Sequence, residues 1–169
     1  MKRPRSALPA LALLAVAQLF PGASADVADI KGDAIVGDGD TMLVEKDSIR
    51  LAGIDAPELG QTCRRPGDSE WNCGLDAKRM LAETICDKPI SCRQLYFDAY
   101  GRILALCAAS SGDDLSATMV RSGYALADGR DQRYLAEETA AHLAGKGIWS
   151  GSFQTPWEWR AERLENDVE

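Results

Sequence analysis

The sequence predicts a small α+β domain, and three features predict it. Short apolar runs of strand length are punctuated by Gly, Asp and Pro over residues 34–58, a second pair of such runs spans residues 90–109, and helical stripes lie between and after them. Ala34–Val36 and Thr41–Val44 flank Gly37-Asp38-Gly39-Asp40, a composition that suits a hairpin loop. Asp38 and Asp40 are therefore expected at the rim of a sheet. A third run, residues 49–54, follows the polar turn 45–48 and ends at Asp55-Ala56-Pro57-Glu58. Pro57 forces Ala56 out of helical geometry and bends the chain, so Asp55 and Glu58 leave the sheet at a corner.

That stretch carries more charge than a structural hairpin needs. Hard cations such as calcium take several oxygen ligands, and carboxylates from two rims, with a backbone carbonyl and water, make an open site. An EF-hand is excluded, because a loop counted from Asp38 places Met42 and Leu43 where a ligand and a glycine belong. Arg50 sits among Ile49, Leu51, Ala52 and Ile54, five positions before Asp55. On a flat strand those two would face opposite sides, so Gly53 is the expected twist or bulge that brings them together.

Residues 61–72 read as a polar connecting loop carrying Cys63 and ending at Cys73. Residues 75–86 form a first helix with Ala77, Leu81 and Ile85 on one stripe, stopped by Asp87-Lys88-Pro89. Runs 90–96 and 103–109 make a hairpin around residues 97–102, with Arg102 at the entry to the returning strand; an ordinary ion pair with Asp98 is the plain alternative for it. Leu115, Met119 and Val120 mark a second helix ended by Gly123, residues 124–127 are extended, and 132–144 form a third helix with Ala136, Ala140, Leu143 and Ala144 on its apolar stripe and His142 beside it. Ile148 and Trp149 are expected to pack back on the sheet. The tail, with Phe153, Pro156, Trp157, Trp159 and Arg160, is expected to fold over the core.

The chain carries a formal net charge of −7, which counts against tight, nonspecific retention of nucleic acid but leaves room for one locally positive cleft. With a single histidine, His142, two-histidine ribonuclease chemistry, histidine-metal sites and a Ser-His-Asp triad are all poorly served. A carboxylate must then be the base. Lys2, Arg3 and Arg5 ahead of an apolar run 7–20 and Ala23-Ser24-Ala25 read as a secretory leader over residues 1–25, without a membrane anchor once it is cleaved. Residues 26–169 then make one domain, expected to be a monomer, in the periplasm or outside the cell. Export makes disulfides the default for the five cysteines. A hairpin turning about the Ala99–Tyr100 bond opposes Cys92 and Cys107, leaves Cys63 and Cys73 as a loop clip, and leaves Cys86 as a buried free thiol.

In order along the chain, Asp38-Gly39-Asp40-Thr41, Arg50 with Asp55, Pro57-Glu58, Tyr100-Gly101-Arg102 and Gly147-Ile148-Trp149 resemble the thermonuclease, or staphylococcal nuclease-like, family. The resemblance implies an OB-type five-stranded β-barrel with three helices and calcium-dependent hydrolysis of DNA and RNA, giving 3′-phosphate ends. It further implies Arg50, Glu58 and Arg102 as the catalytic set, and Asp40, Asp55 and the backbone carbonyl of Ala56 as calcium ligands. Two departures bear on substrate grip. Ala99 stands where some relatives carry a phosphate-contacting lysine, and no paired tyrosines lie between Tyr124 and Tyr134. A non-catalytic OB-type binding module, which intact Arg50, Glu58 and Arg102 argue against, and a role in envelope or exopolysaccharide assembly are the other two readings.

Overall fold

The computed structural model describes residues 29–166; the leader expected over residues 1–25 lies outside them. Strands β1 (Asp29–Gly32), β2 (Ala34–Val36), β3 (Thr41–Val44), β4 (Asp47–Leu51) and β5 (Ile54–Asp55) open the chain. A small hairpin of β6 (Cys63–Arg64) and β7 (Glu70–Trp71) then leads into helix α1 (Cys73–Ile85). Strands β8 (Ile90–Phe97) and β9 (Ile103–Ala108), helix α2 (Leu115–Arg121), strand β10 (Leu126–Ala127) and helices α3 (Leu135–Leu143) and α4 (Pro156–Asn166) complete it.

The main sheet runs β1-β8-β9-β4-β3-β2. Its two edge strands are consecutive in sequence, broken only at Asp33, so one bent strand pairs with β8 on one side and β3 on the other. The sheet nearly closes on itself, and counted this way the barrel has the five strands expected of an OB-type fold, with β4 and β9 as its parallel pair. Alternation supplies the core. Met42, Val44, Ile49, Leu51, Ile103, Ala105 and Cys107 point inward from their strands and meet Ala77, Leu81 and Ile85 of α1 and Leu115, Met119 and Val120 of α2. A smaller cluster of Cys63, Cys73, Leu126 and Ile148 lies beside it, and Trp149 packs against that cluster rather than on the main sheet.

Both expected disulfides form, Cys63–Cys73 and Cys92–Cys107. The register behind the second is not uniform. Cys92 faces Cys107 and Gln94 faces Ala105, but beyond a bulge at Leu95 Tyr96 faces Leu104 and Phe97 faces Ile103. The tip therefore turns about Tyr100 itself, and the bulge restores the pairing that a turn about the Ala99–Tyr100 bond would have produced.

Four expectations are corrected. Cys86 is exposed, because it caps α1 in the left-handed conformation (φ 56°), beyond the helix's buried stripe. Residues 61–72, clipped by the expected disulfide, hold the short β6–β7 hairpin rather than a plain connecting loop. The stripe expected on the third helix is on the wrong face: Ala136, Ala140, Leu143 and Ala144 are exposed, Leu143 at 84%, and Ala141 is the residue α3 buries. Its orientation is set by polar anchors. Tyr134, just before it, donates to Asp114 Oδ2 at 2.9 Å, and Glu138 Oε1 accepts from the Ala127 N–H at 2.9 Å. Alanine methyl groups are too small a hydrophobic bias to oppose that. Finally, three helices become four. Helix α4 begins with a capping box in which Thr155 Oγ1 and Glu158 Oε2 satisfy each other's backbone N–H groups, and Pro156 occupies the first turn.

Candidate active site

The register of β3 and β4 assembles the first part of the site. Thr41 faces Arg50, so the residue before Thr41, Asp40, lies alongside the guanidinium. Arg50 Nη1 donates to Asp40 Oδ1 at 2.7 Å, and Thr41 Oγ1 donates to the same oxygen at 3.0 Å. Asp40 is buried at 3% exposure rather than displayed at the rim, since the hairpin loop folds under the turn after β5: the Ala56 N–H donates to Asp40 Oδ2 at 2.9 Å. Gly39 permits this approach, because a Cβ there would fall 2.6 Å from Ala56 Cβ and 2.8 Å from Ala77 Cβ.

Gly53 does what its place between Arg50 and Asp55 suggests. Its φ of +78° breaks the strand, Ser116 Oγ pins the turn by donating to the Ala52 carbonyl at 3.1 Å, and β5 pairs with β10 instead of continuing along β3. Asp55 is thereby turned to the Arg50 side, where Arg50 Nη2 donates to its Oδ1 at 2.7 Å. One guanidinium fork thus holds Asp40 and Asp55 together, each on its own nitrogen. Burial alone would lower the Arg50 pKa, but Asp40 and Asp55 more than offset it and hold the guanidinium firmly charged.

Glu58 stands on the corner after Pro57. Its backbone N–H donates to Gln61 Oε1 at 3.1 Å, and the fully buried Gln61 passes Nε2 to the Gln154 carbonyl at 2.6 Å. Its carboxylate, with Arg50 and Asp55, lines an open cleft of about 1210 Å³ whose far wall is the β8–β9 tip. Arg102 lies on that wall, with its Nε bonded to Asp98 Oδ2 at 2.7 Å, so the ordinary ion pair and the place in the cleft are both true of it. His142 is outside the cleft, stacked on Trp149.

Two residues of the site went unread in the sequence. Gln61 carries no motif signal. Arg160, on α4, donates from Nη1 to Asp55 Oδ1 at 3.1 Å and to Glu58 Oε1 at 2.7 Å, and from Nη2 to Asp55 Oδ2 at 2.9 Å. The Thr155-Pro156-Trp157-Glu158 capping box announces the helix that delivers it. The same helix turn brings Trp157, at 50% exposure, to the edge of the cleft instead of folding it over the core.

The donor set suits a hard cation. Asp40, Asp55 and the Ala56 carbonyl offer oxygen alone, with no nitrogen or sulfur ligand at hand. Burial pushes the Asp40 carboxyl up to about 7 against the opposing pull of Arg50, so this carboxylate carries more desolvation than one guanidinium offsets, and added positive charge there is favoured. Among the described residues no three His, Cys, Asp or Glu side chains are grouped so as to hold a metal ion.

The family model described as staphylococcal nuclease homologue matches residues 48–151, more than half of the chain. The match takes in Arg50, Asp55, Ala56, Glu58 and Arg102, while Asp40 and Arg160 flank it. The chain is 31% identical to a micrococcal nuclease of Shigella flexneri over 92% of its own length and 95% of that protein. It is 31% identical to the succinoglycan biosynthesis protein ExoI of Rhizobium meliloti over 71% of its length, spanning 64% of that protein. An Escherichia coli protein described as an uncharacterized endonuclease is 32% identical over 79% of the chain and 86% of its own length. The barrel, the helices and these matches agree: the chain belongs to the family of staphylococcal nuclease homologues, a family of hydrolytic nucleases that is generally calcium-dependent.

Proposed function

We propose that the protein is an exported, calcium-dependent nuclease that hydrolyses phosphodiester bonds of DNA and RNA and leaves 3′-phosphate ends. The observation that carries this reading is the Arg50 fork holding Asp40 and Asp55 beside Glu58 at the mouth of a cleft that Arg102 also lines. Asp40, Asp55 and the Ala56 carbonyl would hold calcium, which when bound supplies positive charge for a phosphate oxygen. Glu58 orients the attacking water and takes its proton: it lines the cleft next to Asp55 and makes no contact to Arg50. Arg50 and Arg102 donate to the charge that develops on the pentacovalent phosphorus, a task suited to planar forks of N–H groups. In-line attack breaks the bond to the 5′ oxygen, so the phosphate stays on the 3′ side.

Two disulfides fit an oxidising compartment, and among the described residues no helix is long and apolar enough to cross a membrane. The disulfides support export. The name of the Rhizobium meliloti relative, a succinoglycan biosynthesis protein, favours a second reading, a part in exopolysaccharide assembly. One experiment separates them. Purified protein is incubated with DNA and with RNA, in calcium and in excess chelator, and product ends are mapped. Hydrolysis in calcium alone supports the proposal; hydrolysis undiminished after exhaustive chelation removes the metal, and none on either polymer removes the nuclease.

A further inference from the structure

Both oxygens of Asp55 are engaged by guanidinium groups. Oδ1 accepts from Arg50 Nη2 and Arg160 Nη1, and Oδ2 accepts from Arg160 Nη2. A divalent cation at Asp55 therefore meets guanidinium charge at either oxygen, and close approach favours displacing one of the two groups. The two differ in what leaving costs them. Arg50 is only 18% exposed and is also bound to Asp40, so releasing it strands a buried charge. Arg160 is 40% exposed, can recover water, and keeps a second carboxylate partner in Glu58 when Asp55 is withdrawn. Its presence there is built rather than incidental. Gln61 fastens the Gln154 carbonyl, just ahead of α4, to the turn that bears Glu58, and the capping box then sets the helix whose second turn carries Arg160.

We propose that Arg160 is the resident cation of this site: it holds Asp55 in competition with the divalent metal, and metal binding transfers it to Glu58 alone, whose carboxylate it then positions. This rests on the reading of Asp55 as a metal ligand. A guanidinium within bonding distance of a metal-binding carboxylate lowers metal affinity both by occupying the oxygens and by like-charge repulsion. The competition sets a threshold, so the site loads only where calcium is abundant. Hydrolysis is thereby tied to the calcium level of the compartment.

Calorimetric titration of the full folded protein with calcium ion alone tests this without reference to activity, using wild type, Arg160→Gln, Arg160→Lys and Asp55→Asn, each checked for folding by circular dichroism. Arg160→Gln should bind calcium about tenfold more tightly, and Arg160→Lys, which keeps a charge but loses the fork, should fall between. At saturating calcium, Arg160→Gln should lower kcat with KM for nucleic acid little changed, because the mispositioned group is the base. Unchanged or weaker calcium binding in Arg160→Gln, with wild-type binding intact and abolished by Asp55→Asn, overturns the competition and leaves the metal reading standing. No calcium binding by any form removes the metal reading and this inference with it. An unchanged kcat in Arg160→Gln at saturating calcium overturns the positioning role.

Discussion

Substituting Gly74 by alanine moves the corner that bears Glu58, the proposed base, without touching a charged group. Gly74 is the second residue of α1 and its φ is not positive, so alanine suits its backbone and by helix propensity alone should stabilise it by up to about 1 kcal/mol. Packing opposes this. A Cβ at Gly74 would overlap the carbonyl oxygen of Glu58 and lie 2.6 Å from its carbonyl carbon, where ordinary contact begins at 3.4 Å. Neither side yields easily, because α1 is anchored by the Cys63–Cys73 disulfide and the Glu58 turn by Gln61. The turn must back away by roughly 1 Å, and such a displacement of the proposed base should cost on the order of 10² in rate. Overpacking of this kind costs about 1–3 kcal/mol, so the net change should be a loss of roughly 0–2 kcal/mol. Thermal melts and steady-state hydrolysis of DNA in calcium read the two effects separately. The expected result is a folded protein with a modestly lower Tm and kcat/KM down about a hundredfold. A Gly74→Ala protein that gains stability and keeps wild-type turnover would refute the reasoning, since it would show that the contact between α1 and the Glu58 turn does not hold the base.

Glu58→Gln and Arg102→Ala should each leave the fold nearly intact and lower turnover by on the order of 10² or more, as for a base and a transition-state donor; near-wild-type kcat in either removes that residue from the mechanism. Tyr134 supplies a pH test. Burial and the bond to Asp114 push its phenol up from 10.0 to about 12, so the folded state holds the neutral form that the unfolded chain loses first. Its contribution is complete below pH 10 and lost as the pH rises through about 12. Urea melts across that window should show Tyr134→Phe with a shallower alkaline decline than wild type, and an identical decline would show that the phenol does not report on folding there.

Much of the site could be read from the chain because its first half is local. Asp40, Arg50, Asp55 and Glu58 fall within one meander whose strand ends follow from turn residues, and β2 and β3 begin and end where the apolar runs do. Alternation fixed which residues face the core, Gly53 marked the break that rejoins Arg50 and Asp55, and hairpin register opposed Cys92 to Cys107 and left Cys63 for Cys73. Tertiary structure decided the rest. The Leu95 bulge, the face α3 turns inward and the exposure of Cys86 depend on what each segment meets, and no local periodicity encodes that. Gly74, the bond from Gln61 to Gln154 and above all Arg160 matter only through partners brought close by the tertiary fold, in the last case from 105 residues away. A capping box announces a helix by local hydrogen bonding; where its arginine lands is a property of packing, which the whole chain sets together.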